Sequence, residues 1–357
     1  MNSNNENNLF RHIIKTAKSL GAARIIIFCF IIILFISALL LHIPVADLCS
    51  NILTRVGMNG ILVLAMIPTM QAGMGPNFGL PLGIICGIVA VTVAIELNLS
   101  GFTALVFALA LSVFGGALIG YIYGLLLNKV KGEEMTVGTY IGFSIVSLMS
   151  IFWVMAPYRS PEMIWPYGGS GLRVTISLAE RMDKLLDKFM EFNFMGVVVP
   201  TGLLLFLAFC SFILWIFMRS RKGIAITIVG SNPRFAESIG LNVNKNRLLA
   251  STISGALGAA GIVIYAQSYG FLQLYQAPLF MAFFAVGSIL IGGASMNHAL
   301  IRHAIIGTFL FQALLVISLP VANMVVSENL SEVIRTIVTN GIILYALSRK
   351  EEGGASK

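Results

Sequence analysis

The stretch from Arg219 to Arg247 reads RSRKGIAITIVGSNPRFAESIGLNVNKNR, and it interrupts an otherwise apolar chain. It holds six of the 23 Lys and Arg residues: Arg219, Arg221, Lys222, Arg234, Lys245 and Arg247. Long apolar runs flank it on both sides. Within it, Asn232 has the side chain of a helix N-cap. Pro233 suits the first helical position, where its missing N–H is not needed. Gly240 stands where a short helix would stop. The stretch is therefore expected to carry a short capped helix in a basic loop between membrane spans, which is the form of a docking element.

The flanks set the class. With 57% hydrophobic and 11% charged residues and a mean hydropathy of +0.91, the chain is excluded from soluble domains, where about 25% of residues are charged. Apolar runs approaching the ~20 residues that cross a bilayer core recur near 25–43, 52–70, 80–96, 102–127, 135–156, 194–218, 248–268, 279–293, 300–320 and 331–348. The fold class read from this is an all-α polytopic membrane protein of about ten transmembrane helices with two interrupted, re-entrant-like segments. Residues 1–24 read as a cytoplasmic segment, Asn-rich and then basic. Residues 25–348 form the transmembrane domain, with an external segment at 157–193 and the cytoplasmic loop at 219–247, and 349–357 form a cytoplasmic tail. No Ala-x-Ala-like cleavage site follows the first run, so it is read as a retained helix.

Charge placement supports this topology. With both termini inside, sixteen of the 23 basic residues fall on inner segments, as the positive-inside rule requires. Arg55, Arg159, Arg173, Arg181, Lys184, Lys188 and Arg335 fall outside or near outer helix ends. The net charge of +8 follows from topology and does not call for nucleic acid. Cys29, Cys49, Cys86 and Cys210 are scattered without metal-ligand spacing, so they read as apolar filler and no metal site is expected. Within the external segment, residues 177–192 have the pattern of an amphipathic helix, with Leu178, Met182, Leu185, Leu186 and Phe189 opposite Arg181, Lys184 and Lys188. It would rest on lipid or meet an external protein.

Two stretches cannot be continuous helix. From Gln71 to Gly83 there are four glycines and two prolines, with Asn77 and Phe78 among them; such a break either lines a pathway or is a short loop at the membrane face. The second runs from Gly270 to Pro278 and contains Phe271, Gln273, Tyr275 and Gln276, just after Gln267. Paired breaks point to a transport site. These amides and rings either take a polar solute or are interfacial side chains. Gly116, Gly120 and Gly124 share one face of their span, which lets another helix approach closely.

The order Gly230, Asn232, Ala236, Glu237, Gly240, followed by Ser254-Gly255-Ala256-Leu257-Gly258-Ala259-Ala260-Gly261, resembles permease subunits of ATP-binding-cassette importers. The superfamily is that of ribose, galactose and branched-chain amino-acid permeases. Its coupling loop reads G-x-N-x-x-A-A-x-x-x-G-I, and Glu237 replaces the second Ala. Asn51-Ile52-Leu53 with Asn59-Gly60-Ile61-Leu62 resembles a second family stretch. The acid that usually follows in G-G-I-D-L-S-V-G is absent, and Asn77 stands near its place. Gly287 to Ser295 resembles a third motif, again without the neighbouring acid.

The resemblance implies that Asn232, Pro233, Arg234, Phe235, Ala236, Glu237 and Gly240 couple to a separate ATPase, which holds ATP and Mg while this chain binds no cofactor. It further implies a second permease, identical or related, an extracytoplasmic solute-binding protein, and a place in the bacterial cytoplasmic (inner) membrane. Asn59, Gln71, Asn77, Phe78, Gln267, Phe271, Gln273, Tyr275 and Gln276 are the pathway candidates, for a sugar or nucleoside by family. The chain lacks a G-x-x-x-x-G-K-[ST] loop, so it is not read as an enzyme. The alternative is a self-contained secondary carrier or channel, for which few ionisable groups lie at mid-span.

Overall fold

The computed structural model describes residues 22–164 and 172–325, with positions 336, 337, 340 and 341. It is almost wholly helical. Helix α1 (Ala22–Leu40) leads to α2 (Val45–Leu64), which a bend at Ala65 joins to α3 (Met66–Gln71). Then come α4 (Leu80–Glu96), α5 (Gly101–Leu127) and α6 (Glu134–Met155). Among the described residues six helices are long and apolar enough to cross a membrane, and Ile26–Leu40, Leu80–Glu96 and Ala277–Ile291 are shorter apolar helices. The span expected at 331–348 lies almost wholly outside the described residues, as do the expected terminal segments.

The second half holds α8 (Thr201–Arg219), α9 (Arg221–Ser231), α10 (Pro233–Ser238), α11 (Val243–Tyr269), α12 (Ala277–Ile291) and α13 (Ile301–Val325). Helix α11 is the axis of the packing, and its contact with α5 is the most extensive between any two elements. The small residues explain why. A Cβ on Gly116 would strike Gly255 and Ala259, one on Gly120 would strike Ser251, and one on Gly124 would strike Leu248. The two helices therefore run antiparallel with their backbones close, where dispersion contacts are dense. Gly83 and Gly87 meet Gly255 and Ala259 in the same manner, so α4 runs parallel to α11.

This geometry separates two kinds of glycine. A Cβ on Gly120 would stand 2.6 Å from the Ser251 carbonyl oxygen, which is backbone, whereas one on Gly124 would meet the Leu248 side chain at 2.9 Å. Gly120→Ala is expected to cost ~1–3 kcal/mol through overpacking. Gly124→Ala should cost less, because Leu248 can rotate away and Ala favours the helix by ~1 kcal/mol. Thermal unfolding in detergent should show a lowered midpoint for the first only; equal midpoints would contradict the crossing.

Helix directions sort the connections. Residues 72–79, 128–133, 220–242 and 292–300 gather at one end, together with Lys129, Lys131 and the basic stretch. Residues 97–100, 156–164, 172–200 and 270–276 gather at the other. The two predicted breaks thus lie at opposite ends of the bundle.

The outer segment corrects one expectation. Residues 177–192 do not form a single amphipathic helix. Instead Thr175–Ser177 is strand β1, Leu185–Lys188 is the four-residue helix α7, and Phe192–Phe194 and Val197–Val199 are the hairpin strands β2 and β3. Strand β1 pairs antiparallel with β4 (Phe271–Gln273). Of the apolar residues that mimic a helical stripe, Leu178 and Met182 are fully buried by tertiary contacts, Leu185 and Leu186 are half-buried and Phe189 is exposed; the Leu178 N–H donates to the Gly270 carbonyl at 2.9 Å. Lys184 takes a φ of 50°, which breaks helical continuity.

Candidate functional site

At the basic end, α10 forms as its residues dictate. The Asn232 side chain accepts a hydrogen bond from the Phe235 N–H at 3.0 Å, and Pro233 occupies the first turn. Gly240 follows with a φ of +83°, a conformation that costs glycine nothing sterically. Ala236 is the buried foot of the helix, in a small apolar cluster with Val229 and Val243. Pro233, Arg234, Phe235, Glu237 and Ser238 are all exposed. Phe235 is 53% exposed and Ile239 51%, so the helix presents two apolar side chains and a carboxylate to whatever lies outside. A recess of about 340 Å³ beside it is lined by Glu237, Gly240 and Leu241 to Asn244. Asn242, a cap that the sequence reading passed over, accepts from the Lys245 N–H at 2.9 Å and starts α11.

Three of the pathway candidates, Gln71, Asn77 and Phe78, lie at this same end. Gln71 ends α3 and donates its Nε2 to the Ala299 carbonyl at 2.5 Å. Asn77 donates Nδ2 to the Ser254 Oγ at 2.8 Å, and Ser254 in turn donates to the Ala65 carbonyl at 2.6 Å. Both amide oxygens are buried without a partner among the described residues, a costly state for polar atoms. Phe78 packs its ring 6.1 Å from that of Phe283. Residues 72–79 are covered by α9, α11 and the 296–299 turn, so this irregular backbone is wrapped in protein.

The other candidates lie at the opposite end. Gln267 is thirteen residues beyond Ser254 on α11, on the order of 20 Å further along at 1.5 Å per residue. It is fully buried, and both ends of its amide are engaged: Oε1 accepts from the Leu186 N–H at 3.2 Å and Nε2 donates to Asp187 at 3.2 Å. Ser268 donates to the other Asp187 oxygen at 2.6 Å. Burial pushes the Asp187 carboxyl above its usual range, and the donors from Ser268 and Gln267 pull it back. Gln267 thus fastens the outer segment to α11. Phe271, 45% exposed in β4, packs its ring against Tyr269.

Asn59, Gln273, Tyr275 and Gln276 come together. With Thr175, Tyr265 and apolar residues of α12 they line a cavity of about 330 Å³. Tyr275 donates its hydroxyl to the Leu172 carbonyl at 3.0 Å. The cavity offers donors and acceptors on one side and apolar and aromatic surface on the other, a lining suited to a small polar solute. Thr175 and Tyr265 join it only through the β1–β4 pairing and the end of α11. No local pattern marks them in the sequence.

A family described as "Branched-chain amino acid transport system / permease component" matches residues 48–345. This chain belongs to that permease family. The permease is similar to the autoinducer 2 import system permease protein LsrC of Enterobacter sp. (strain 638), 27% identical over 66% of this chain and 61% of that one. It is also similar to the probable ABC transporter permease protein YphD of Escherichia coli (strain K12), 27% identical over 50% of this chain and 52% of that one. A third relative is the nucleoside ABC transporter permease protein NupB of Lactococcus lactis subsp. cremoris (strain MG1363), 24% identical over 50% and 48%. The chain spans about half to three fifths of the length of these curated relatives. No solved structure matches the permease. Its family and its spans make it a multi-pass membrane protein.

Proposed function

We propose that this permease is the membrane-spanning subunit of an ATP-driven importer for a small polar solute, a simple sugar or nucleoside. The observation that carries the reading is α10: a helix capped by Asn232 and seated on Ala236, with every other residue exposed, inside the most basic segment of the chain. A separate ATPase, holding ATP and Mg, grips this helix and turns its own closure into movement of α9 and α11. A second permease completes the path, and an extracytoplasmic solute-binding protein delivers the solute at the opposite end. Both termini are cytoplasmic, and the protein sits in the bacterial inner membrane. The printed names of the relatives, an autoinducer 2 import permease and a nucleoside ABC transporter permease, support this class.

Glu237→Arg tests it. The residue is exposed, so the substitution leaves the fold intact while reversing charge at the centre of the docking surface. Expressed with the genes beside it and extracted gently, the wild type is expected to retain an ATPase subunit and the variant to lose at least about tenfold of it, ~1.4 kcal/mol of binding. A well-folded wild type that retains no ATPase would favour a self-contained carrier.

A further inference from the structure

Helix α2 differs from its neighbours in what it exposes. Its exposed residues are Asp47, Asn51 and Arg55, and Asn59 follows half-buried. The spacing of four puts all of them on one line along the helix. Other spans expose apolar side chains, such as Val106, Phe114 and Leu118 on α5 or Leu205, Phe209 and Phe212 on α8, as lipid contact requires. The α2 line is polar throughout.

Depth makes this decisive for Arg55. Residues Val45–Gln71 form one span of 27 residues, about 40 Å long against a hydrocarbon layer of about 30 Å. Arg55 lies about 15 Å along it, below the membrane surface. An arginine facing lipid there is strongly disfavoured, so the line faces water or protein. Beyond Asn59 every residue from Gly60 to Ala72 is buried. The line is open toward the outer segment and closed toward the basic end. Its inner terminus, Asn59, is a wall of the 330 Å³ cavity, one helical turn below Arg55. Among the described residues Arg55 has no carboxylate partner.

We propose that Arg55 selects a solute bearing an anionic group, a carboxylate or a phosphate, and draws it down the α2 line into the cavity behind Asn59. The proposal rests on the importer reading above and keeps its class of small polar solute, but puts an anionic derivative such as a sugar acid or sugar phosphate in place of the neutral sugar or nucleoside. A guanidinium presents a planar fork of donors that matches the paired oxygens of either group. Gln273, Gln276 and Thr175 then bind the neutral remainder of the solute.

The test uses the full importer in right-side-out vesicles, with Cys29, Cys49, Cys86 and Cys210 replaced by Ser. Asn59→Cys is reacted from outside with an anionic and a cationic methanethiosulfonate reagent. The anionic reagent is expected to react faster, and adding Arg55→Gln should lower the anionic-to-cationic rate ratio at least about tenfold. Arg55→Lys should keep the ratio. An unreactive thiol, or a ratio that Arg55→Gln leaves unchanged, overturns the proposal. This readout needs no ATP, so failure of ATPase co-purification would sink the importer reading while leaving the ratio intact. Uptake of glucuronate and ribose 5-phosphate should fall at least about tenfold in Arg55→Gln while ribose uptake does not; equal loss for all three overturns the proposal.

Discussion

Gly230→Val is expected to destabilise the permease by about 3 kcal/mol or more, at the upper end of ordinary overpacking, and to bring the proposed ATP-driven uptake to background. The reason is a contact between two backbones. A Cβ on Gly230 would press into the Gln71 carbonyl oxygen and stand 2.7 Å from the Gly73 nitrogen and 2.8 Å from the Ala72 carbonyl carbon. Gly73 returns the contact, since its own Cβ would lie 2.9 Å from the Gly230 Cα. Gly73 also has a φ of +73°, which other residues adopt only with strain. Nothing in this contact is a flexible side chain, so the added bulk must push α9 off the turn that ends α3. That turn places Gln71 on Ala299, and α9 leads into α10, the proposed docking helix. Gly240→Ala is the comparison: its φ is +83° but nothing lies within 4 Å, so roughly 1–2 kcal/mol of backbone strain is all it should show. Melting points of the two variants in detergent, read beside uptake, decide the matter. A Gly230→Val protein that melts like wild type would mean that α9 does not rest on this turn.

Much of this was legible in the sequence, and what was legible is local. Apolar runs bounded by Pro and Gly mark the spans, because bilayer thickness fixes their length and turns need those residues. Asn232-Pro233 marks the start of α10 because a cap needs only its own helix. The buried glycines of α5 were legible as a close-packing face, though not the partner, α11. Residues whose roles come from distant partners were harder to read. Gln267 was drawn toward the solute by its neighbourhood of aromatic and amide side chains, yet its amide bonds Leu186 and Asp187 of the outer segment. Residues 177–192 matched a helical stripe because any burial of alternate clusters produces one. The α2 line was within reach: Asp47, Asn51, Arg55 and Asn59 recur every four residues, but an Arg read as lying near a span end gives no reason to look for a face.

Arg247→Ala is expected to cost ~3–5 kcal/mol, the penalty for breaking a buried ion pair. Counted along the sequence, Arg247 is one more cation of a basic loop; in the fold it is 6% exposed and paired with Glu134, itself nearly buried. The pair joins the first turns of α11 to the start of α6, and Glu134 also accepts from the Gly132 N–H at 3.0 Å. Removing the guanidinium leaves a nearly buried carboxylate with the Gly132 N–H as its remaining donor among the described residues. Removing both charges is a different experiment. In Arg247→Met with Glu134→Gln the site keeps its volume and loses its charge, and such replacements are often neutral or stabilising, by ~1–4 kcal/mol. The double variant should therefore melt well above either single one, with a coupling energy at the upper end of the ~0.5–3 kcal/mol found for contacting residues. Salt should matter little, because a pair withdrawn from solvent is weakly screened. Additive losses in the double variant would show instead that each side chain holds its helix end separately, Arg247 through packing of its stem and Glu134 through the turn at Gly132.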